Sequence, residues 1–270
     1  MNKLMEQCFG VSGACFPAFA ISFLGSYPVG ASAVVSLYEN GTISKQDAQR
    51  ALRFCNNSGP GFFIGIVGGV IFRNVFTGLL LYIFHILSAI LCGMFFSEPI
   101  SCTQIRKIPQ STISFSQLFL TSIGDTCTVL LQLSGMIVTF SLFSTFLGVL
   151  KISALPDILQ ALILGTLEIT TGILHLSDSS ICLVAAAFLM SWGGLCVHMQ
   201  AKNLWSRVEL KVNGYYSSKL LQGVLSALFA LSYIKASPLY LTISAIFSLI
   251  CIIFPYFRKK YGGNLRRHAV

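Results

Sequence analysis

The apolar residues of this chain run in long blocks that short polar segments separate. Most blocks are about 18 to 25 residues long, the length that an α-helix needs to cross a hydrocarbon core about 30 Å thick. The alternating pattern of a transmembrane β-barrel does not occur in them. The sequence therefore predicts an all-α, polytopic membrane protein of about 7–8 membrane segments, some of them broken or re-entrant.

Four polar, glycine-containing interruptions divide the apolar blocks. The first two lie at 26–30 and 57–60, and the other two lie at 168–172 and 191–194. Paired interruptions in matching positions of two halves indicate the binding site of a transporter. We therefore predict two related halves whose interrupted helices form a site for a small-molecule solute.

This repeat divides the chain into four parts. The expected parts are a first half at 1–97, a connecting loop at 98–114, a second half with C-terminal spans at 115–257 and a basic tail at 258–270.

The interruption that precedes the helix at Pro60 supplies the first candidate binding residues: Asn56, Asn57, Ser58 and Gly59. Ser58 or Gly59 is expected to cap this helix, with Pro60 in its first turn. A helix that begins at membrane depth directs free N–H groups and a positive dipole end at a cavity, which favours a carboxylate. The alternative is that the asparagines only satisfy the broken backbone.

The second half supplies the other candidates: Glu168, Thr171, Ser191, Gly193, Gly194 and His198. A charge as deep in an apolar helix as Glu168 costs on the order of 3 kcal/mol, so this side chain should be paired, protonated or in contact with water. It is predicted to bind a proton, a cation or the solute, and a protonated structural Glu is the alternative. Ser191 and the two glycines could offer backbone contacts. His198 could relay protons or lie at the membrane interface.

Five further expectations concern residues outside this site. The apolar run from Pro60 to Phe72 would be about 20 Å long as a helix, too short to span a membrane alone. The run from Phe115 to Leu150 is longer than one span needs and is expected to divide at Gly124 and Asp125 into an interfacial piece and a spanning helix.

Gly61, Gly65 and Gly69 are four residues apart, which predicts close packing of one helix face against a neighbour. His85 stands alone on an apolar face and is expected to be packed. Lys219, together with other basic residues after position 200, is expected to mark a cytoplasmic loop.

Composition supports a membrane protein and excludes several functions. Hydrophobic residues make up 54% of the chain and charged residues 10%, against about 25% charged in soluble domains. The net charge of +9 comes from loops and the C-terminus, a distribution that places the C-terminus in the cytoplasm and does not predict a nucleic-acid partner. The nine cysteines form no C-x-x-C pair, and we find no motif of an enzyme, a metal site or a cofactor site.

The interruptions also carry a resemblance to a known family. The segments 25–30, 37–44 and 54–60 (the last reading FCNNSGP), and the segments 167–172 and 191–200 in the second half, resemble the sporulation integral membrane protein YlbJ family. That family carries the nucleoside-recognition, or Gate, domain and is distantly similar to concentrative nucleoside transporters. The resemblance implies a bacterial endospore former and a location in the mother-cell-derived membrane around the forespore.

The resemblance also implies a solute, dipicolinic acid, which is a small aromatic dicarboxylate. Our first hypothesis is a transporter of this anion. The second is a carrier of a nucleoside or related heterocycle, and the third is a sporulation membrane scaffold that moves nothing. Family members usually carry further helices ahead of the block that begins here at Gly25. We therefore expect a short subtype or a chain without its front part, and with it a homo-oligomer or a sporulation membrane partner.

Overall fold

The computed structural model describes residues 2–99, 114–149 and 152–265, and all regular secondary structure in these ranges is helical. The prediction of an all-α polytopic protein is confirmed. The predicted loop at 98–114 and the last residues of the basic tail lie largely outside the described residues.

The α-helices are α1 (Asn2–Leu4), α2 (Phe16–Leu24), α3 (Val29–Glu39), α4 (Lys45–Ala51), α5 (Val75–Phe95), α6 (Phe115–Val149), α7 (Asp157–Leu167), α8 (Ile169–Leu174), α9 (Ser180–Trp192), α10 (Gly194–Ser206), α11 (Tyr215–Lys235) and α12 (Pro238–Leu265). Two π-helices (Met5–Phe9, Gly61–Ile71) and two 3-10 turns (Gly13–Cys15, Ile152–Ala154) complete the described elements.

Five helical segments within these ranges are long and apolar enough to cross a membrane. They are α5, most of α6, the consecutive helices α9 and α10 taken together, α11, and α12 as far as Tyr256. A sixth span results if the pair Asn2–Phe9 and Gly13–Leu24, bent by 96°, counts as one broken crossing. Three shorter apolar helices (Val29–Glu39, Gly61–Ile71 and Asp157–Leu167) accompany them.

The π-helix Gly61–Ile71 forms a tight hairpin with α5. Its 11 residues are too few to cross a hydrocarbon core, as predicted from the short apolar run. Asn74 caps α5 by accepting hydrogen bonds from the N–H groups of Phe76 (2.9 Å) and Thr77 (3.4 Å). The chain therefore turns back within three residues of the end of the π-helix.

The glycines that close this hairpin differ from the predicted ones. A Cβ at Gly68 would lie 2.8 Å from the Cα of Gly78, so these two backbones meet directly. Gly61 and Gly65 face open space, and Gly69 meets only its own helix, at 3.5 Å. The predicted packing role of Gly61, Gly65 and Gly69 is wrong. Their spacing of four suits one face of an α-helix, whereas this segment is wound as a π-helix with a longer turn.

Helix α6 contacts α7 and α10 but is otherwise largely exposed. It is continuous over 35 residues, so the interruption expected at Gly124 does not occur. Several of its hydroxyl groups bond to their own helix, as Thr126 Oγ1 does to the carbonyl of Ser122 at 2.7 Å. Most of its large apolar side chains are exposed, among them Leu131 at 75%. In a membrane protein such a surface faces lipid or another apolar partner.

Two apolar clusters enclose a layer of buried polar groups. One is built from the N-terminal segments through Cys55, together with the end of α10 and Tyr215. The other is built from Phe63 onward in the π-helix, α5, and the helices α7 to α9. The interruption between Cys55 and Phe63 therefore lies at the junction of the two clusters.

The glycine contact in the hairpin predicts a clear difference between two substitutions. In Gly78→Ala the new methyl group would lie 2.5 Å from the carbonyl oxygen of Phe63, and we expect a destabilisation of about 1–3 kcal/mol from overpacking. In Gly65→Ala, the matched control, no such contact arises and stability should stay the same or rise slightly. Thermal unfolding of the purified proteins in detergent measures both, and equal stability of the two variants would contradict the packing.

Candidate functional site

The interruption between the two apolar clusters, residues 55–60, is called the first interruption of the site from here on. It carries three fully buried polar residues, Asn56, Asn57 and Ser58. The amide of Asn56 donates to the hydroxyl of Tyr215 at 2.8 Å. The amide of Asn57 donates to Ser22 Oγ at 3.0 Å and to the carbonyl of Phe54 at 2.8 Å. The Asn57 side chain is thus held from two segments of the chain, whereas Asn56 is held by Tyr215 and its amide oxygen is buried without a hydrogen-bond partner.

Pro60 has helical backbone angles (φ −64°, ψ −29°) directly before the π-helix, which fits its expected place in the first turn. The expected cap by the Ser58 side chain is wrong, because its hydroxyl is buried without a hydrogen-bond partner. Gly59 has a different role, because a Cβ there would lie 3.0 Å from the backbone N of Ser26. The interruptions at 26–30 and 57–60 therefore touch backbone to backbone.

In the second half, Glu168 forms the break between α7 and α8. Its side chain is almost completely buried and caps α8 by accepting from the N–H groups of Thr170 (2.9 Å) and Thr171 (2.7 Å). The Thr171 hydroxyl donates a third hydrogen bond at 2.8 Å. Three donors on two oxygens form the environment that a carboxylate needs, so the start of α8 already has an anionic partner within the chain.

The last interruption is a glycine pair with left-handed backbone. Gly193 has φ +90° and Gly194 has φ +77°, a region that disfavours residues with a Cβ. A Cβ at Gly193 would lie 3.2 Å from the ring of Tyr27, and one at Gly194 would lie 3.0 Å from the carbonyl of Gly165. Both glycines are needed for the turn and for close contact with other breaks.

His85 joins the first half of the site to the second. The backbone N–H of Ser58 donates to its Nε2 at 3.2 Å, so in the neutral ring the proton is on Nδ1. Nδ1 lies 2.9 Å from Ser191 Oγ, to which it donates. The expectation that His85 is only packed is wrong. Its ring bridges two interruptions, at Ser58 and at Ser191, which are 133 residues apart in the chain.

Lys219 lies at the centre of the polar layer. It was expected to mark a loop, but it is one turn inside α11 and completely buried. Its ammonium donates to the main-chain oxygen of Asn56, to Asn57 Oδ1 at 3.4 Å and to Gln222 Oε1 at 2.7 Å. The Gln222 amide in turn donates to Asn57 Oδ1 at 3.1 Å.

This lysine has no carboxylate partner in the described part of the chain. The ion pairs found there join Arg50 and Arg53 to Glu98. A buried cation surrounded by neutral groups is costly, and at membrane depth it indicates function. The signal for it was present in the sequence: Ser218, Lys219, Gln222 and Ser226 follow at helical spacing and form one buried polar stripe on α11.

His198 lies at the far end of the same network. Its side chain is buried, and Nδ1 is 3.3 Å from the hydroxyl of Tyr215, which also holds Asn56. The ring of Trp192 packs edge-on against it at 4.4 Å between centroids. Nε2 of His198 and the indole N–H of Trp192 are buried without a hydrogen-bond partner.

A cavity of about 160 Å³ opens beside the network. Its polar lining comes from Ser26, Tyr27, Ser58, Glu168, Thr170 and Gln200. Of the predicted binding residues, Ser58 and Glu168 thus reach the cavity wall, and Thr171 supports Glu168. The other predicted residues lie in the buried network or at the glycine turns. No cluster of His, Cys, Asp and Glu in the described residues has the make-up of a metal site.

These features define a polytopic α-helical membrane protein with a polar centre built from interrupted helices. The chain is 26% identical to the sporulation integral membrane protein YlbJ of Bacillus subtilis (strain 168) over 280 aligned positions, which cover 89% of this chain and 68% of that protein. This match confirms the resemblance to the YlbJ family that was seen in the motifs. No family model and no solved structure matches the chain.

Because His85 bridges two interruptions, removing its side chain is expected to lower the stability of the protein strongly. His85→Ala leaves the Ser58 N–H and the Ser191 hydroxyl without their partner in the protein interior, at a cost of about 1–3 kcal/mol for each group. His175→Ala, at the partly exposed end of α8, is the matched control and should change stability little. Thermal unfolding in detergent compares them. A His85→Ala protein as stable as the control would disprove the bridge.

Proposed function

We propose that this protein is a membrane carrier for a small anionic aromatic solute in endospore formation, with dipicolinic acid as the substrate. The observation that carries the proposal is Lys219, a buried cation that contacts the first interruption and has no carboxylate partner in the described residues. A carboxylate of the solute would supply the missing negative charge. YlbJ of Bacillus subtilis is named a sporulation integral membrane protein, which supports the cellular setting.

The surroundings of Lys219 suit a solute that binds reversibly. A permanent internal carboxylate would neutralise the ammonium, and the site would then have no preference for anions. Neutral partners such as Asn57 and Gln222 position the ammonium without cancelling its charge. The neighbouring cavity, with Tyr27 in its wall, offers room and an aromatic surface for a single ring.

Glu168 gives this proposal a route to proton coupling. Its carboxylate lies in the wall of the same cavity as Ser58, so a bound dicarboxylate would face a like charge. Uptake of a proton by Glu168 when the solute binds would remove that repulsion. We therefore propose that solute and proton move together.

The proposed location follows from the family resemblance, and the proposed orientation follows from the basic C-terminus. The carrier would act in the mother-cell-derived membrane around the forespore, with its C-terminus in the cytoplasm.

A second candidate function is transport of a nucleoside or related heterocycle. It is favoured by amide groups in and near the cavity, since Gln200 lies in the cavity wall and the amide oxygen of Asn56 has no hydrogen-bond partner in the described residues. The Gate-domain resemblance points the same way. A scaffold that moves nothing is the third hypothesis, and the buried cation argues against it because a scaffold does not require one.

The deciding experiment is uptake of labelled dipicolinate into proteoliposomes that contain the purified full chain. We expect uptake above protein-free vesicles, and weak competition by uridine. Uptake of labelled uridine in place of dipicolinate would establish the second candidate. No uptake of either solute by folded protein would overturn the transport proposal and leave the scaffold.

The lysine is expected to control this uptake. Lys219→Met keeps the approximate length of the side chain and removes its charge. Uptake should fall on the order of tenfold or more, because the solute loses the positive charge that attracts it. Lys235→Met changes an exposed lysine on the same helix and should leave uptake unchanged. Size-exclusion chromatography verifies that both proteins are folded. Equal uptake by the two variants would remove Lys219 from the proposed site.

Proton coupling has its own test. In the Glu168→Gln protein the side chain no longer gains or loses a proton, so an inward proton gradient should no longer stimulate dipicolinate uptake. Exchange of dipicolinate across the membrane without a gradient should persist. A gradient that stimulates the variant as strongly as the native protein would exclude Glu168 as the coupling residue.

A further inference from the structure

We propose that the ammonium of Lys219 acts as a built-in cation for the broken backbone at residues 55–60, so that the site needs no bound Na⁺. This inference concerns the ion that holds the interruption together and does not depend on which solute is carried. It rests on the set of atoms around Nζ, on their segments of origin and on their lack of charge.

The atoms around the ammonium are those of an alkali-ion site. Nζ meets the main-chain oxygen of Asn56 and the amide oxygens of Asn57 and Gln222. All three are neutral oxygens, the ligand type that hard cations take in proteins. In transporters with broken helices, unwound main-chain carbonyls commonly coordinate Na⁺ at this kind of position.

The main-chain oxygen of Asn56 explains why a cation is needed there. It belongs to a non-helical stretch in the protein interior, where a backbone carbonyl cannot remain unpaired. Among the hydrogen bonds of the described residues, its donor is the lysine side chain and no backbone N–H. The ammonium therefore replaces the partner that an intact helix would have supplied.

The number and position of the partners suit a positive charge. Three oxygen acceptors match the three N–H groups of an ammonium. The ring of Tyr27 lies with its centroid 6.0 Å from Nζ and adds a fourth neutral, electron-rich neighbour. These groups come from two interruptions and from α11, so the ammonium ties together segments that are far apart in sequence.

A tethered cation differs from a free ion in one important respect. Sodium would have to bind from solution and could leave with the solute, whereas the lysine is always present at a high effective concentration. Its charge would remain available to an anion while its protons satisfy the oxygens. The stability of this centre should therefore be independent of the inorganic cations in the buffer.

The test compares thermal unfolding of the purified full chain in chloride salts of Na⁺, methylammonium and N-methylglucamine at equal ionic strength. The native protein should show the same Tm in all three. Lys219→Ala should have a lower Tm, and Na⁺ or methylammonium should raise it by at least about 3 °C over the bulky N-methylglucamine, because either small ion can enter the space left by the side chain. Lys235→Ala, the control on the same helix, should respond to none of them.

Two outcomes would overturn the proposal. One is a Lys219→Ala protein whose Tm responds to neither Na⁺ nor methylammonium. The other is a native protein whose Tm rises with Na⁺, which would mean that an inorganic ion is used despite the lysine. Since no solute is added, failure here is distinguishable from failure of the transport proposal.

A second pair of variants keeps the test decisive if Lys219→Ala does not fold. Gln222→Glu places a carboxylate where Gln222 Oε1 lies 2.7 Å from Nζ, and it should be tolerated because an ammonium pairs with it. The same change in a Lys219→Met background leaves a lone buried carboxylate, and Tm should fall well below that of Lys219→Met alone. An equal fall of Tm in both backgrounds would show that Nζ does not act as a cation.

Discussion

A backbone group at membrane depth cannot rely on water, so each break in a helix must find partners inside the protein. The described centre of this protein follows that constraint closely. Glu168 accepts hydrogen bonds from the free N–H groups at the start of α8, and His85 accepts one from the N–H of Ser58. Lys219 donates a hydrogen bond to the main-chain oxygen of Asn56. The residues proposed for function are therefore the ones that make the broken helices feasible, and a substitution in the site also tests the fold.

The same constraint explains the arrangement of charge. The positive group, Lys219, lies in a closed network of amides, while the negative group, Glu168, lies in the wall of a cavity. Each is held by neutral donors or acceptors of its own, and no ion pair joins them in the described residues. Two opposite charges kept apart in this way can respond separately to an anion and to a proton, which a neutralised pair could not do.

Much of the fold could be predicted because it depends on local sequence. The lengths of the apolar blocks predict the long helices. The breaks at Glu168 and Gly193 are visible in the sequence as a polar residue and a glycine within apolar runs. The partners of the breaks could not be predicted in the same way. Lys219 and Asn56 are 163 residues apart, and their contact depends on how α11 packs against the first interruption.

Two errors have local physical causes. The sequence predicts a break in α6 at Gly124 and Asp125, but the helix continues through them, and hydroxyls such as that of Thr126 bond to their own helix and leave it intact. The spacing of Gly61, Gly65 and Gly69 predicts one packed face only for an α-helical turn, whereas a π-helix shifts which residues share a face. The role of a polar or glycine residue in an apolar run can therefore be stated only when its hydrogen-bond partner and the type of its helix are known.

Helix α6 has a consequence for the membrane around the protein. Its apolar stretch Phe115–Leu147 has 33 residues, about 50 Å at 1.5 Å per residue, against a hydrocarbon thickness of about 30 Å. Tilt alone would have to exceed the range of about 0–40° seen for membrane helices. One end must therefore emerge from the hydrocarbon, or the bilayer must thicken around it. Hydrophobic mismatch then links the position of α6, and of the helices α7 and α10 that it touches, to the lipid chain length of the membrane.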